Sequence, residues 1–258
     1  MSNRIQQLFF RKKQNILSIY FTAGYPKLHD TLSIIKELDK AGVDMIEIGF
    51  PFSDPLADGP VIQQSSMQAI NNGMNLKLLF TQLKDIRTIT QMPIILMGYL
   101  NPVLQYGEEA FIEKCNEMGI DGIIIPDMPL SYYQEVWKEK CMANNLSNIL
   151  LITPETKESR VRDIDQQSDA FIYMVSSNSI TGSNKTITHQ TDDYFKRINS
   201  MQLIHPTIIG FGIHDNNSFA NACTYSSGAI IGSAFIKHIT TAGISTTSIQ
   251  QFINNIRP

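Results

Sequence analysis

Eight short apolar runs, the amphipathic segments between them and a length of 258 residues predict a single-domain α/β protein folded as a (β/α)8 TIM barrel. The runs cover 16–20, 45–50, 93–99, 122–126, 148–153, 171–175, 207–211 and 228–232. They are nearly continuous in Ile, Leu and Val, as parallel strands covered on both faces are. The alternative is an open doubly wound sheet. That fold usually has fewer strands and places a glycine fingerprint after the first, where this chain reads TAGYP.

The elements follow in order. MSNRIQQLFFRKK spaces its apolar residues as a helix does and puts its charges after them, the wrong order for a signal peptide. The segment 30–41 sets Leu32, Ile35 and Leu38 on one face, with Asp30 able to cap its start and Gly42 its end. Segments 111–118 and 132–143 read the same way. Two junctions echo each other, AGVDMIEIG at 41–49 and MGIDGIIIP at 118–126, each a helix end, a Gly, an Asp and a strand. No low-complexity linker divides 1–258; SSNSITGSNKT at 176–186 is polar enough for a mobile loop.

Composition excludes several function classes. A net charge of -3 and a pI near 5.9, with Lys and Arg scattered apart from the run Arg11–Lys13, give no nucleic-acid face. Cys115, Cys141 and Cys223 lie far apart without a CxxC or Cys/His spacing, which argues for a reducing compartment and against structural zinc. No apolar run reaches the length of a membrane span. A soluble cytoplasmic protein is expected.

The chemistry centres on MIEIGFPFSDPLADGP at 45–60. Strand residues alternate in direction, so Glu47 shares a side with Met45 and Gly49 while Ile46, Ile48 and Phe50 share the other. The more apolar set should face the helices, which aims Glu47 into the barrel mouth. Desolvation there raises a carboxyl's pKa towards the range for proton exchange near neutral pH. A structural Glu paired with a basic strand residue is the alternative, but the eight strand cores contain no Lys or Arg. Asp54 and Asp58 sit in a loop stiffened by Pro51, Pro55 and Pro60, where Asx turns or a cap for the helix near Val61 are equally open readings. Metal is the weaker reading: the loop lacks the DxDxDG alternation and no His assists. At the far end, GFGIHD at 210–215 and IIGSAFIK at 230–237 place glycines and a helix start after the last two strands. Barrels often bind phosphate there. Glycines serving only tight packing remain an alternative.

With YFTAGYP, IEIGFPFSDPLADGP, MGYLNP, PDMP, ITG, GFGI and GSAFIK in this order along nearly the whole chain, the sequence resembles the α-subunit family of tryptophan synthase. The resemblance implies a lyase that splits indole-3-glycerol phosphate into indole and glyceraldehyde 3-phosphate. It also implies an α2β2 heterotetramer with the tryptophan synthase β subunit, whose pyridoxal phosphate site receives the indole; no metal or cofactor is implied for this chain. By the same resemblance Glu47 is the acid/base, Asp58 accepts the indole N–H, and Tyr173 helps position Glu47. Phe21, Ile62, Tyr99 and Phe211 wall the indole, and Gly182, Gly212, Gly232 and Ser233 hold the phosphate. Thr181 lies on a loop that closes towards Asp58, and Asp54 and Pro55 face the partner. The chain departs from many relatives at Ser177 and Ser179, where a basic residue and a Gly stand, which touches loop closure. A weakened partner-binding subunit and another phosphosugar barrel enzyme are the remaining readings; a Schiff-base aldolase would need a strand Lys, and none is found.

Overall fold

The computed structural model describes residues 3–175, 189–210 and 212–258. Among them are nine parallel strands: β1 (Ile16–Thr22), β2 (Met45–Gly49), β3 (Ile94–Met97), β4 (Gly122–Ile124), β5 (Ser147–Asn148), β6 (Leu150–Ile152), β7 (Ile172–Val175), β8 (Thr207–Gly210) and β9 (Gly228–Ile231). Their order is β5-β4-β3-β2-β1-β9-β8-β7-β6. The expected eight staves are present, and the fifth is split at Ile149. Ile149 still donates its N–H to the Ile123 carbonyl at 2.9 Å, prolonging the β4–β5 ladder, while β6 pairs with β7. The sheet therefore comes round on itself into a barrel.

Register decides which residues share a side. Tyr20 is level with Glu47, and Glu47 with Ile95; on the far wall Tyr173 is level with Ile208 and Ile208 with Gly228. A Cβ at Gly49 would lie 2.1 Å from the Tyr20 hydroxyl oxygen, and one at Gly210 would lie 2.0 Å from that of Tyr173. Both phenols thus fill space that only glycine vacates. Glu47 and Tyr173, on staves that are not neighbours, act on each other electrostatically, so they meet across the interior. Ile19, Ile46 and Ile48 point the other way and are fully buried beneath the helices.

The helices follow the sequence pattern with small corrections. Thr31–Lys40 buries Ile34, Ile35 and Leu38, whereas Leu32 is only partly covered. Asp30 stands at the cap position, but its carboxylate turns back to accept the Lys27 N–H at 3.0 Å and caps no helical amide. Gly42 follows with φ +75°, the left-handed step that ends helices. The expected helix at 132–143 is broken by one wide turn, Tyr133–Trp137, where two large buried rings pack.

The lower, N-terminal mouth is closed by Arg4–Arg11. Its capping box joins Asn3 and Gln6, and Ile5, Leu8 and Phe9 are buried. Asn3 Nδ2 also donates to the Asp121 carbonyl at 3.0 Å and Ser147 Oγ at 2.7 Å, pinning the helix under β4 and β5. The echoing junctions have one meaning here. Asp44 accepts the Leu17 N–H of β1 and Asp121 the Ile94 N–H of β3, both at 2.9 Å, so each aspartate ties its strand to a neighbour. Cations hold them: Lys12 and Arg257 on Asp44, Arg4 and Arg87 on Asp121.

Candidate active site

Glu47 is fully buried at the middle of β2. Its Oε1 accepts from Ser18 Oγ at 3.2 Å, and among the described residues Oε2 has no hydrogen-bond partner. Burial pushes its carboxyl up to about 8, with the Ser18 hydroxyl pulling weakly the other way. A carboxyl so placed is protonated at neutral pH yet close to release, the poise a proton donor and acceptor needs.

Asp58 lies in the loop after β2 and is 8% exposed. It does not cap the next helix: Pro60–Asn71 starts from Gly59 without a side-chain cap, its Pro at the position where a missing N–H is harmless. The Asp58 carboxylate instead accepts the Tyr99 hydroxyl on Oδ2 at 3.0 Å. Burial raises its carboxyl to about 6 and the Tyr99 donor opposes the rise, so Asp58 is ionised at neutral pH where Glu47 is not. Two carboxyls with separated protonation states thus share one interior.

Tyrosines surround them. The Tyr173 phenol is raised by burial first, then by Glu47, Asp58 and Tyr20. That of Tyr20 is raised by burial and then by Asp58, with the Thr22 hydroxyl opposing. Thr22 in turn shares a 2.7 Å hydrogen bond with Ser65. Both phenols stay protonated and can orient a substrate or a carboxyl.

The other residues singled out from the sequence divide into three groups. Phe21 is corrected: it is level with Ile48, on the helix-facing side of β1, and Tyr20 is the aromatic of that strand that enters the interior. The same alternation that aims Glu47 inwards aims Phe21 outwards. Tyr99 is more than an apolar wall, since its hydroxyl also accepts the Ala57 N–H at 3.0 Å. Ile62 is buried early in Pro60–Asn71, just past the Asp58 loop. Gly212 has φ +77°, and Gly232 immediately precedes the helix Ser233–Ala242, so Ser233 opens a helix whose positive end rises beside the Tyr20 ring, 3.2 Å from a Cβ at Gly232. Thr181, Gly182 and Phe211, with the 176–186 loop and its Ser177 and Ser179, lie outside the described residues. On the rim Asp54 is exposed and Leu56 is 87% exposed, while Pro55 is buried. Among the described residues no group of three or more His, Cys, Asp or Glu side chains is placed to hold a metal ion. None of their helices is long and apolar enough to cross a membrane.

A parallel barrel with two desolvated carboxyls, one inside the second stave and one in the loop that follows it, and a glycine-led helix beside them is the architecture of a barrel enzyme working by acid–base chemistry. The comparisons specify the class. The family model described as tryptophan synthase alpha chain matches residues 6–257. The tryptophan synthase alpha chain of Flavobacterium psychrophilum is 57% identical over 254 residues, covering 98% of this chain and 99% of that one. That of Christiangramia forsetii is 54% identical, covering 99% and 98%. Among solved structures, the tryptophan synthase complex of Pyrococcus furiosus matches with a TM-score of 0.86 at 30% identity, over 95% of this chain and 98% of that one. The chain belongs to the tryptophan synthase alpha chain family, and with it to the lyases of indole-3-glycerol phosphate.

Proposed function

We propose that Glu47, Asp58 and Tyr173 carry the cleavage of indole-3-glycerol phosphate into indole and glyceraldehyde 3-phosphate. The protonated Glu47 delivers a proton to indole C3, and the resulting indolenine cation is stabilised by ionised Asp58 at the ring N–H. The hydroxyl on the adjoining glyceryl carbon gives up its proton to the carboxylate so formed. Its oxygen becomes the aldehyde as the bond to C3 breaks and the electron pair restores the aromatic ring. Tyr173 supports Glu47. Tyr20, Ile62, Tyr99 and Phe211 bound the heterocycle, Gly182, Gly212, Gly232 and Ser233 receive the phosphate, and Thr181 lies on the closing loop. No metal or cofactor takes part.

The observation that supports this reading best is Glu47 itself: an enclosed carboxyl that, among the described residues, has one oxygen unpaired and no cation beside it. Such a group costs the fold stability, and groups perturbed in this way gather at sites of chemistry. The single barrel domain works in the cytoplasm beside a tryptophan synthase β subunit in an α2β2 assembly, and the Asp54–Leu56 rim faces that partner.

Two measurements test it. Glu47→Gln should retain the circular dichroism of the native fold and lose indole release; near-normal turnover would remove Glu47 from the mechanism. Adding a β subunit should raise lyase turnover by an order of magnitude or more, and tight association without activity would favour the weakened partner-binding reading that Ser177 and Ser179 raise.

A further inference from the structure

Tyr99 occupies an unusual junction. It ends the segment after β3, and its ring lies against Phe52 with centroids 5.2 Å apart. One hydroxyl serves two residues of a different loop: it accepts the Ala57 N–H at 3.0 Å and donates to Asp58 Oδ2 at 3.0 Å. The next residue, Leu100, gives its N–H to Asp127 Oδ1 at 2.9 Å, so Tyr99 is anchored from the loop after β4 as well. The Tyr99 side chain thus joins its own loop to the loop after β2, and the neighbouring backbone ties both to the loop after β4.

We propose that Tyr99 is a positioning residue that fixes the Asp58 carboxylate for the indole N–H and keeps it ionised through the donated hydrogen bond. The proposal rests on the role given to Asp58 above. The paired contacts to Ala57 and Asp58 hold both the backbone and the carboxylate of this loop against the Tyr99 hydroxyl. The direction of the bond is determined because ionised Asp58 can only accept, so the hydroxyl gives its proton to Asp58 while a lone pair takes the Ala57 amide. The groups facing Asp58 are the phenols of Tyr20 on β1, Tyr99 after β3 and Tyr173 on β7. Glu47 on β2 faces the same phenols of Tyr20 and Tyr173, and Asp127 faces Tyr99 from the loop after β4. Among the described residues no cation counters the burial of Asp58, which leaves the Tyr99 hydrogen bond as the opposing influence.

The test is Tyr99→Phe, which keeps the ring and its Phe52 contact while deleting the hydroxyl. With aspartate labelled by 13C, and the Asp58 signal assigned by its loss in Asp58→Asn, the carboxyl should titrate about one pH unit higher in Tyr99→Phe than in the parent chain. The acid limb of kcat/KM should move by the same amount, giving roughly a five- to tenfold loss at pH 6 and little loss at pH 8. The substrate phosphate also ionises in this range, but equally for both enzymes. An unmoved Asp58 titration overturns the proposal, and so does a Tyr99→Phe loss of equal size in an Asp58→Asn background. If Asp58→Asn alone turns over normally, the role of Asp58 in the reaction falls, while the titration still judges the Tyr99 contact by itself.

Discussion

Replacing Glu47 by Gln should remove the pH dependence that this residue gives to the stability. The carboxyl is raised from 4.5 to about 8 because burial disfavours its charge. A group whose folded pKa lies above its unfolded one contributes stability that is fully present below the unfolded value and is lost as pH rises through the folded value. For Glu47 that window runs from 4.5 to about 8. Each pH unit inside it is worth about 1.4 kcal/mol, so the parent chain should lose on the order of 3 kcal/mol from this residue between about pH 5 and pH 8. That is a substantial share of the roughly 5–15 kcal/mol that holds an ordinary domain together. Gln has the same shape and no proton to lose. Its amide leaves an unmet donor beside Oε1, but that penalty is the same at every pH. Urea unfolding of both chains at several pH values, extrapolated to water, gives the difference in stability directly, because every other titrating group cancels. The Gln chain should gain on the parent by about 3 kcal/mol across this range. Parallel stability curves would refute the claim that Glu47 is held neutral by desolvation.

Three further outcomes follow from the same geometry. The pH profile of kcat/KM should be bell-shaped, rising as Asp58 ionises near 6 and falling as Glu47 deprotonates near 8; a profile flat from pH 5 to 9 would contradict the assigned protonation states. Gly49→Ala should drive a methyl into the Tyr20 hydroxyl, 2.1 Å away, lowering stability by roughly 1–3 kcal/mol and turnover by more than tenfold, read by thermal melts and an indole assay. Asp121→Asn should leave Arg4 and Arg87 without their buried acid, lowering stability on the order of 3 kcal/mol while KM stays unchanged, since the pair lies at the opposite mouth from the substrate.

The barrel was legible because its strands are apolar on both sides and separated by regular helical spacing; all eight staves fall where the runs lie. The gap at Ile149 was not, since Asn148–Ile152 keeps the composition of an unbroken strand and only hydrogen-bond register reveals the split. Glu47 could be placed from alternation alone. Phe21 could have been placed by the same rule, because Ser18, Tyr20 and Thr22 form the more polar set of β1 and Leu17, Ile19 and Phe21 the apolar one. The repeated Gly-Asp junctions were visible as an echo, but the cations that answer Asp44 and Asp121 come from distant segments, Arg257 among them. Tyr99 acting on Asp58 spans 41 positions and two loops, and no local pattern encodes such a meeting.

The placement of Tyr20 and Tyr173 over glycines has a consequence for redesign. The depth of each ring is governed by Gly49 and Gly210, whereas the polarity it presents is governed by one oxygen atom at its tip. Tyr-to-Phe changes at these positions alter polarity alone, whereas smaller side chains there alter size as well. A variant library aimed at bulkier heterocycles should shorten the rings and leave the glycines untouched.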